Sequence, residues 1–491
     1  MIRPDTMNDT PADSSGSGGD PRVSEQAHGV QGRHASLSSA PGTATEHLVA
    51  PPVPDSIEDT GLSASQVSEL VLKILYQHGN MRGDRLAKTI ALPFHVIDDL
   101  LLTAQRMHLV EVPEAMAHGR NGYTFALTGE GRERARAALE SSQYIGPAPV
   151  PLEQFSHWVE LQSVANFEVS REQLEEAMSD LVLPGGIFKA LGPALNSGGS
   201  IFLHGAPGNG KTSIAERLGK LTSTSIYLPR AVMVNGNVMV LYDSIYHELV
   251  EEEPESGAAS ALVRSKAKYD ARFVHVKRPT VFVGGELTME QLDVQFDPYS
   301  KVYQAPFQLK AVGGVLLIDD FGRQRMRPEE ILSRWIVPLE KGFDNLSFRS
   351  GIKFPVPFDC LLIFATNLNP GDLVDEAFLR RIQYKVEIRS PDRAAFEQIF
   401  RLNCDELEID FDPRAIDLLY HEYYEANGIA PRGCHPRDIL KRIQAVAEYE
   451  GVEARLEPEA LRQAVDSYFL VMEEEYQAGI PTAIHTEGDD R

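Results

Sequence analysis

The sequence predicts an α/β protein built on a parallel sheet, with a small helical module before the sheet and a helical region after it. Three stretches predict it. The apolar run Ile201-Phe202-Leu203 leads into the glycine-rich turn Gly205-Ala206-Pro207-Gly208-Asn209-Gly210-Lys211-Thr212-Ser213, after which Ile214, Leu218 and Leu221 share one helical face. Val315-Leu316-Leu317-Ile318 ends in Asp319-Asp320, and Leu361-Leu362-Ile363-Phe364 ends in Ala365-Thr366-Asn367. Short apolar runs that finish in polar groups describe buried parallel strands whose carboxyl ends face a common ligand site.

Composition sets the outer limits. A chain of 491 residues, 43% hydrophobic, has room for two or three domains with ordinary cores. Its formal charge of −24 disfavours non-specific attraction to nucleic acid or anionic lipid. Cys360, Cys404 and Cys434 have no C-x-x-C spacing, which gives no metal knuckle or disulfide framework and fits a reducing cytoplasm. No signal-like apolar region and no membrane-length apolar run occurs, so membrane insertion is not expected.

Taken in order, residues 1–60 are rich in Ser, Gly, Pro, Asp and Thr without apolar periodicity, and are expected to be a disordered tail. Residues 61–143 read as three helices, two strands and a last helix. Val67, Leu70, Val71, Ile74 and Leu75 stripe the first helix; Val96, Ile97, Leu100 and Leu101 stripe the third. This order resembles a winged helix-turn-helix domain, which would imply DNA binding through the third helix. That helix carries His95, Asp98 and Asp99 before Arg106, and residues 61–145 hold nine basic and nine acidic residues. Such a balance favours protein docking over DNA. Pro147, Pro149 and Pro151 mark a stiff linker at 144–160. The core is expected over 161–390, with an insertion at about 228–310 that contains an Asn235-Gly236 hairpin, the acidic run Glu251-Glu252-Glu253-Pro254-Glu255 and Val281-Phe282-Val283. Helical patterns fill 391–475, before a flexible end at 476–491.

The chemistry follows from the glycine-rich turn. Its G-x-x-x-x-G-K-[ST] pattern lets backbone N–H groups and a helix N-terminus converge on a diphosphate. Lys211 adds a charge for the β- and γ-phosphates; Thr212 and Asp319 supply oxygens for Mg2+; Asn367 stands near the γ-phosphate.

Together these elements resemble the AAA+ ATPases, in which they are called Walker A, Walker B and sensor 1. The resemblance spans residues 201–443. It implies a P-loop NTPase parallel sheet with a helical lid, ATP and Mg2+ as cofactors, and a homo-oligomeric ring, by expectation a hexamer, acting on a protein client. Arg380 and Arg381 in Asp375-Glu376-Ala377-Phe378-Leu379-Arg380-Arg381 match the segment carrying the arginine finger, and Arg437 in Gly433-Cys434-His435-Pro436-Arg437-Asp438 matches sensor 2. Asp320 stands where the family usually has Glu to polarise the attacking water, and its shorter reach predicts slower hydrolysis. More than a hundred residues separate Lys211 from Asp319, about twice what a simple core needs. Besides remodelling of a protein partner, the sequence admits an ATP-dependent DNA regulator and a slowly hydrolysing nucleotide-gated switch.

Overall fold

A computed structural model of the chain describes residues 49–115, 119–166, 168–183, 186–221, 224–251, 269–373 and 379–478. The tail expected at 1–60 lies outside these residues as far as 48, and so do most of the acidic run from Glu252, the segment 374–378 and the terminus from 479.

The first module contains α1 (Ala64–His78), β1 (Met81–Arg82), α2 (Gly83–Ile90), α3 (Phe94–Arg106), β2 (Val110–Glu114), β3 (Thr124–Leu127) and α4 (Gly129–Ser141). Ser63 opens α1 with a capping box to Gln66. The apolar stripes meet in one core that includes Val67, Ile74, Leu75, Ile97, Leu101 and Phe125. The sequence suggests two strands here. A third, β1, pairs with β3 and makes an antiparallel sheet in the order β1-β3-β2.

Residues 49–60, expected to belong to the tail, are a folded strap. Pro51 and Pro54 are buried, and the Pro51 carbonyl accepts the Asp270 N–H at 2.9 Å. Glu58–Thr60 forms a 3-10 turn whose Thr60 carbonyl accepts Arg272 Nη1 at 2.8 Å. Arg272 in turn pairs with Asp270 at 2.8 Å, and both side chains are buried. A main-chain anchor of this kind needs no apolar periodicity in the strap, which is why local pattern misses it.

The expected linker is also part of a core. β4 (Val150–Pro151) pairs with β7 (Ala231–Val234), and α5 (Leu152–Leu161) buries Phe155 and Val159. β7 returns through the Asn235-Gly236 turn into β8 (Asn237–Val240), with φ positive at both turn residues, as a two-residue hairpin loop requires. β11 (Gln295–Asp297) and β12 (Val302–Gln304) complete a sheet ordered β11-β12-β8-β7-β4. The pairs β6 (Ser225–Pro229) with β9 (Phe273–Lys277) and β14 (Phe343–Ser347) with β15 (Lys353–Pro357) share its core, through Ile226, Val276, Leu346 and Phe354. The expected insertion is therefore a β-rich lobe gathered from segments far apart in the chain. Val281-Phe282-Val283 is the exception. It belongs to β10 (Thr280–Val283), which pairs with β13 (Val315–Ile318) as an edge strand of the central sheet.

That sheet is wholly parallel and ordered β10-β13-β16-β5-β17, with β5 (Ile201–His204), β16 (Leu361–Thr366) and β17 (Tyr384–Glu387). Alternate residues face opposite sides. Leu203, Val315, Leu317 and Ile363 meet α6 (Arg171–Ala177), α7 (Ile187–Asn196) and α8 (Lys211–Leu221). Phe202, Leu316, Ile318 and Phe364 meet Phe321 and Trp335, the latter from α9 (Pro328–Lys341). Beyond the sheet, α10 (Arg393–Glu406), α11 (Pro413–Leu418) with its π-helical continuation Leu419–Glu425, α12 (His435–Glu450) and α13 (Pro458–Ala478) enclose a separate core around Phe396, Phe400, Leu440 and Leu461.

Candidate functional site

β5 stands between β16 and β17, and α8 springs from its carboxyl end, which puts the glycine loop at the carboxyl edge of the sheet, one strand in from β17. At Gly205 and Gly208 the loop leaves no room for a side chain. A Cβ on Gly205, which has φ of 140°, would stand 2.2 Å from the Ile388 carbonyl oxygen; one on Gly208, with φ of 81°, would stand 2.4 Å from the Cys434 sulfur. Pro207, Gly210 and Ser213 complete the turn into the first turn of α8, where backbone N–H groups lack helical partners and the helix dipole favours an anion.

Lys211 is 6% exposed, and its ammonium donates to the Gly205 carbonyl at 2.9 Å, the Ala206 carbonyl at 3.0 Å and Asn367 Oδ1. Burial pushes its pKa down to about 8, against the opposing pull of Asp319 and Asp320. It makes no ion pair among the described residues, so a buried cation is held mainly by carbonyl oxygens. An arriving phosphate would complete it.

The neighbouring strands bring the other groups. Thr212 Oγ1 donates to Asp319 Oδ2 at 2.8 Å, and the Asp320 N–H donates to Asp319 Oδ1 at 2.9 Å, so both carboxylate oxygens of Asp319 are oriented. Asn367, at the end of β16, also donates through Nδ2 to Asp320 Oδ1 at 3.3 Å and so bridges Lys211 to Asp320. Asp320 has φ of 49°, a left-handed conformation uncommon for a side-chain-bearing residue. The Phe321 N–H that follows donates to the Ala365 carbonyl at 2.8 Å and holds this corner against β16. Among the described residues no group of three or more His, Cys, Asp and Glu side chains is placed to hold a metal. Thr212 and Asp319 are an oxygen pair suited to Mg2+ only if phosphate and water supply the remaining ligands.

The remaining candidates stand apart from this cluster. Arg381 donates through Nε to Glu340 Oε1 at 2.7 Å, whereas Arg380 is exposed and makes no ion pair among the described residues. Arg437 is turned to its neighbour, with Nε and Nη2 each 3.1 Å from Asp438 Oδ1 and the side chain 57% exposed. Motif reading also misses part of the loop's surroundings. Asn209 Nδ2 lies 3.3 Å from Ser390 Oγ, and the backbone before α12 touches the loop directly. Ser390 stands in no recognisable pattern, and although Gly433 and Cys434 open the segment matched to sensor 2, their contact with the loop appears only in the fold.

A family model described as a domain of unknown function (DUF8689) matches residues 392–467. It covers the carboxy-terminal helices alone. No curated protein matches the chain. Among solved structures, the Thermotoga maritima RuvB Holliday junction branch migration motor is similar over 63% of this chain and 73% of its own, at 15% identity and a TM-score of 0.32. Brucella abortus NtrX is similar over 78% of this chain and 70% of its own, at 11% identity and a TM-score of 0.35. Its complex with ADP is similar over 65% and 62%, at 15% identity and a TM-score of 0.31. Likenesses this weak carry no inference about the present chain. No helix of the described residues is long and apolar enough to cross a membrane.

Proposed function

We propose that the chain is a Mg-ATP-dependent ATPase of the AAA+ type that works as a homo-oligomeric ring on a protein partner. One observation carries the reading: the carboxyl ends of β5, β13 and β16 bring a buried Lys211, the Thr212–Asp319 pair and the Asn367–Asp320 pair to one place. Bound Mg-ATP would supply the γ-phosphoryl group and the electrostatic clamp on it. The loop from Gly205 to Ser213 binds the phosphates through backbone N–H groups, and Lys211 neutralises them. Thr212 and Asp319 would hold Mg2+ through their side-chain oxygens. Asp320 orients the water that attacks the γ-phosphorus as the bond to the ADP oxygen breaks, and Asn367 fixes Asp320 in place. Arg380 is the better finger for a neighbouring site, because Arg381 is already committed to Glu340 within its own chain.

The first module, read as a winged helix, fits a protein-docking role better than DNA. The exposed side chains of α3 include His95, Asp99, Thr103 and Arg106, and the nearby Arg120 is paired with Asp98 at 2.7 Å. Phosphate release with Mg-ATP, measured against protein concentration alongside light-scattering mass, tests the whole proposal. Turnover should rise as the oligomer forms, and Lys211→Ala should abolish nucleotide binding. Tight ATP binding with negligible turnover at every concentration would replace the motor with a nucleotide-gated switch.

A further inference from the structure

The glycine loop is gripped from the helical region as well as from the sheet. The Cys434 N–H donates to the Gly208 carbonyl at 2.8 Å, and the Gly433 N–H donates to Asn209 Oδ1 at 3.2 Å. The Cys434 sulfur fills the space left by the absent Gly208 side chain. The residue that begins this clasp is Arg432, whose Cβ lies 3.8 Å from where a Gly208 Cβ would stand.

Arg432 differs from the other arginines of the helical region. Arg393, Arg401, Arg414, Arg437, Arg455 and Arg462 each hold a carboxylate, and Arg442 donates to Ser467 Oγ at 3.2 Å. Arg432 is half-buried, and its guanidinium has no hydrogen-bond or ion-pair partner among the described residues. Its main-chain N–H donates to His435 Nδ1 at 3.3 Å, which fixes its Cβ beside the glycine loop that leads into Lys211. Two cations, one buried and one half-buried, thus share a neighbourhood in which neither has a paired carboxylate. A guanidinium without a direct partner is free to take an anion, and its planar fork matches phosphate oxygens two at a time.

Resting on the nucleotide-site reading above, we infer that Arg432, and not Arg437, is the arginine of the helical region that engages the nucleotide phosphates in cis. Motif position favours Arg437. The fold ties Arg437 to Asp438 in solvent and sets Arg432 over the loop. Because Gly433 and Cys434 already hold the loop, Arg432 needs only a side-chain movement to meet the phosphates.

Calorimetric titration of the full chain with Mg-ADP and Mg-ATP tests this. Arg432→Ala should weaken binding by about ten- to a hundredfold, the usual effect of losing a charge-assisted hydrogen bond. Arg432→Lys should recover part of the loss, and Arg437→Ala should stay within about twofold of wild type. The nucleotide-free melting temperature of Arg432→Ala should hold, since the guanidinium has no bond among the described residues to lose; a purely structural role would lower it. Arg432→Gln is read in the same way should the alanine variant not fold. Affinity within about twofold of wild type for Arg432→Ala, or an equal loss in Arg437→Ala, overturns the assignment. If Lys211→Ala loses binding while Arg432→Ala keeps it, the nucleotide site stands and only Arg432 is misassigned. If Lys211→Ala binds as wild type does, the nucleotide site itself fails.

Discussion

His435 shows how burial sets a residue's chemistry. Its Nδ1 accepts the Arg432 N–H at 3.3 Å and lies 2.9 Å from the Tyr424 hydroxyl, which leaves the proton of the neutral ring on Nε2. That Nε2 is buried with no hydrogen-bond partner among the described residues, and the ring packs edge-on against Tyr468 and Phe469 at centroid distances of 5.6 and 5.5 Å. Burial first, and the Arg432 charge second, push its pKa down to about 4. The folded pKa is below the ordinary value near 6.5, so the unfolded chain binds more protons between pH 6.5 and 4. Stability associated with His435 is therefore complete above about pH 6.5 and is lost as pH falls towards 4. Thermal unfolding followed across that range should show a falling midpoint, and His435→Gln should flatten the fall; an unchanged slope would remove His435 as its cause. Gly205 makes a steric counterpart. The oxygen 2.2 Å from its missing Cβ belongs to backbone, which cannot rotate away, so Gly205→Ala should lose nucleotide binding and stability together. Binding and melting measured on the same sample check this.

At the scale of elements, polar anchors decide where the strap and the β-rich lobe sit. The buried Asp270–Arg272 pair, with the Thr60 carbonyl as a third partner, ties the strap at 49–60 to the turn before β9. Removing one member leaves the other charge buried without its partner, which typically costs about 3–5 kcal/mol. Asp270→Ala should lower stability by an amount in that range, measured by denaturant titration, and should expose the strap to limited proteolysis. A strap still resistant to cleavage would place its attachment elsewhere. The central strands need no such anchor. Each of β13 and β16 is buried along its whole length, and the two faces they cover are both apolar.

For the whole molecule, the trans finger is a proposal that can be tested, since neither Arg380 nor Arg381 is bonded into the Lys211–Asn367–Asp320 cluster of its own chain. If Arg380 acts on a neighbour, Arg380→Ala and Lys211→Ala protomers carry complementary defects. Mixing the two inactive proteins should restore measurable phosphate release, through sites that combine an intact loop with an intact finger. No recovery on mixing, with oligomers formed normally, would reject completion in trans.

Much of the proposed chemistry could be read before folding was considered. Gly205 to Ser213, Asp319-Asp320 and Asn367 stand in short patterns whose apolar runs are long enough to identify buried strands, and the fold gathers them at one sheet edge. Helical spacing likewise points to the long helices of the carboxy-terminal region, because a stripe repeating every 3.6 residues is a local property. What local pattern misses depends on contacts between distant segments. Val281-Phe282-Val283 looks the same in sequence whether it decorates an insertion or edges the central sheet, and only pairing with Val315–Ile318 distinguishes the two. The strap at 49–60 hides its role because its carbonyls, and not its side chains, are the groups recognised. Motif position singles out Arg437, and only the surroundings bring Arg432 forward. Asp438 holds one in solvent, while the turn at Gly433 lays the other beside Gly208, and burial and charge pairing exist only once the chain is folded.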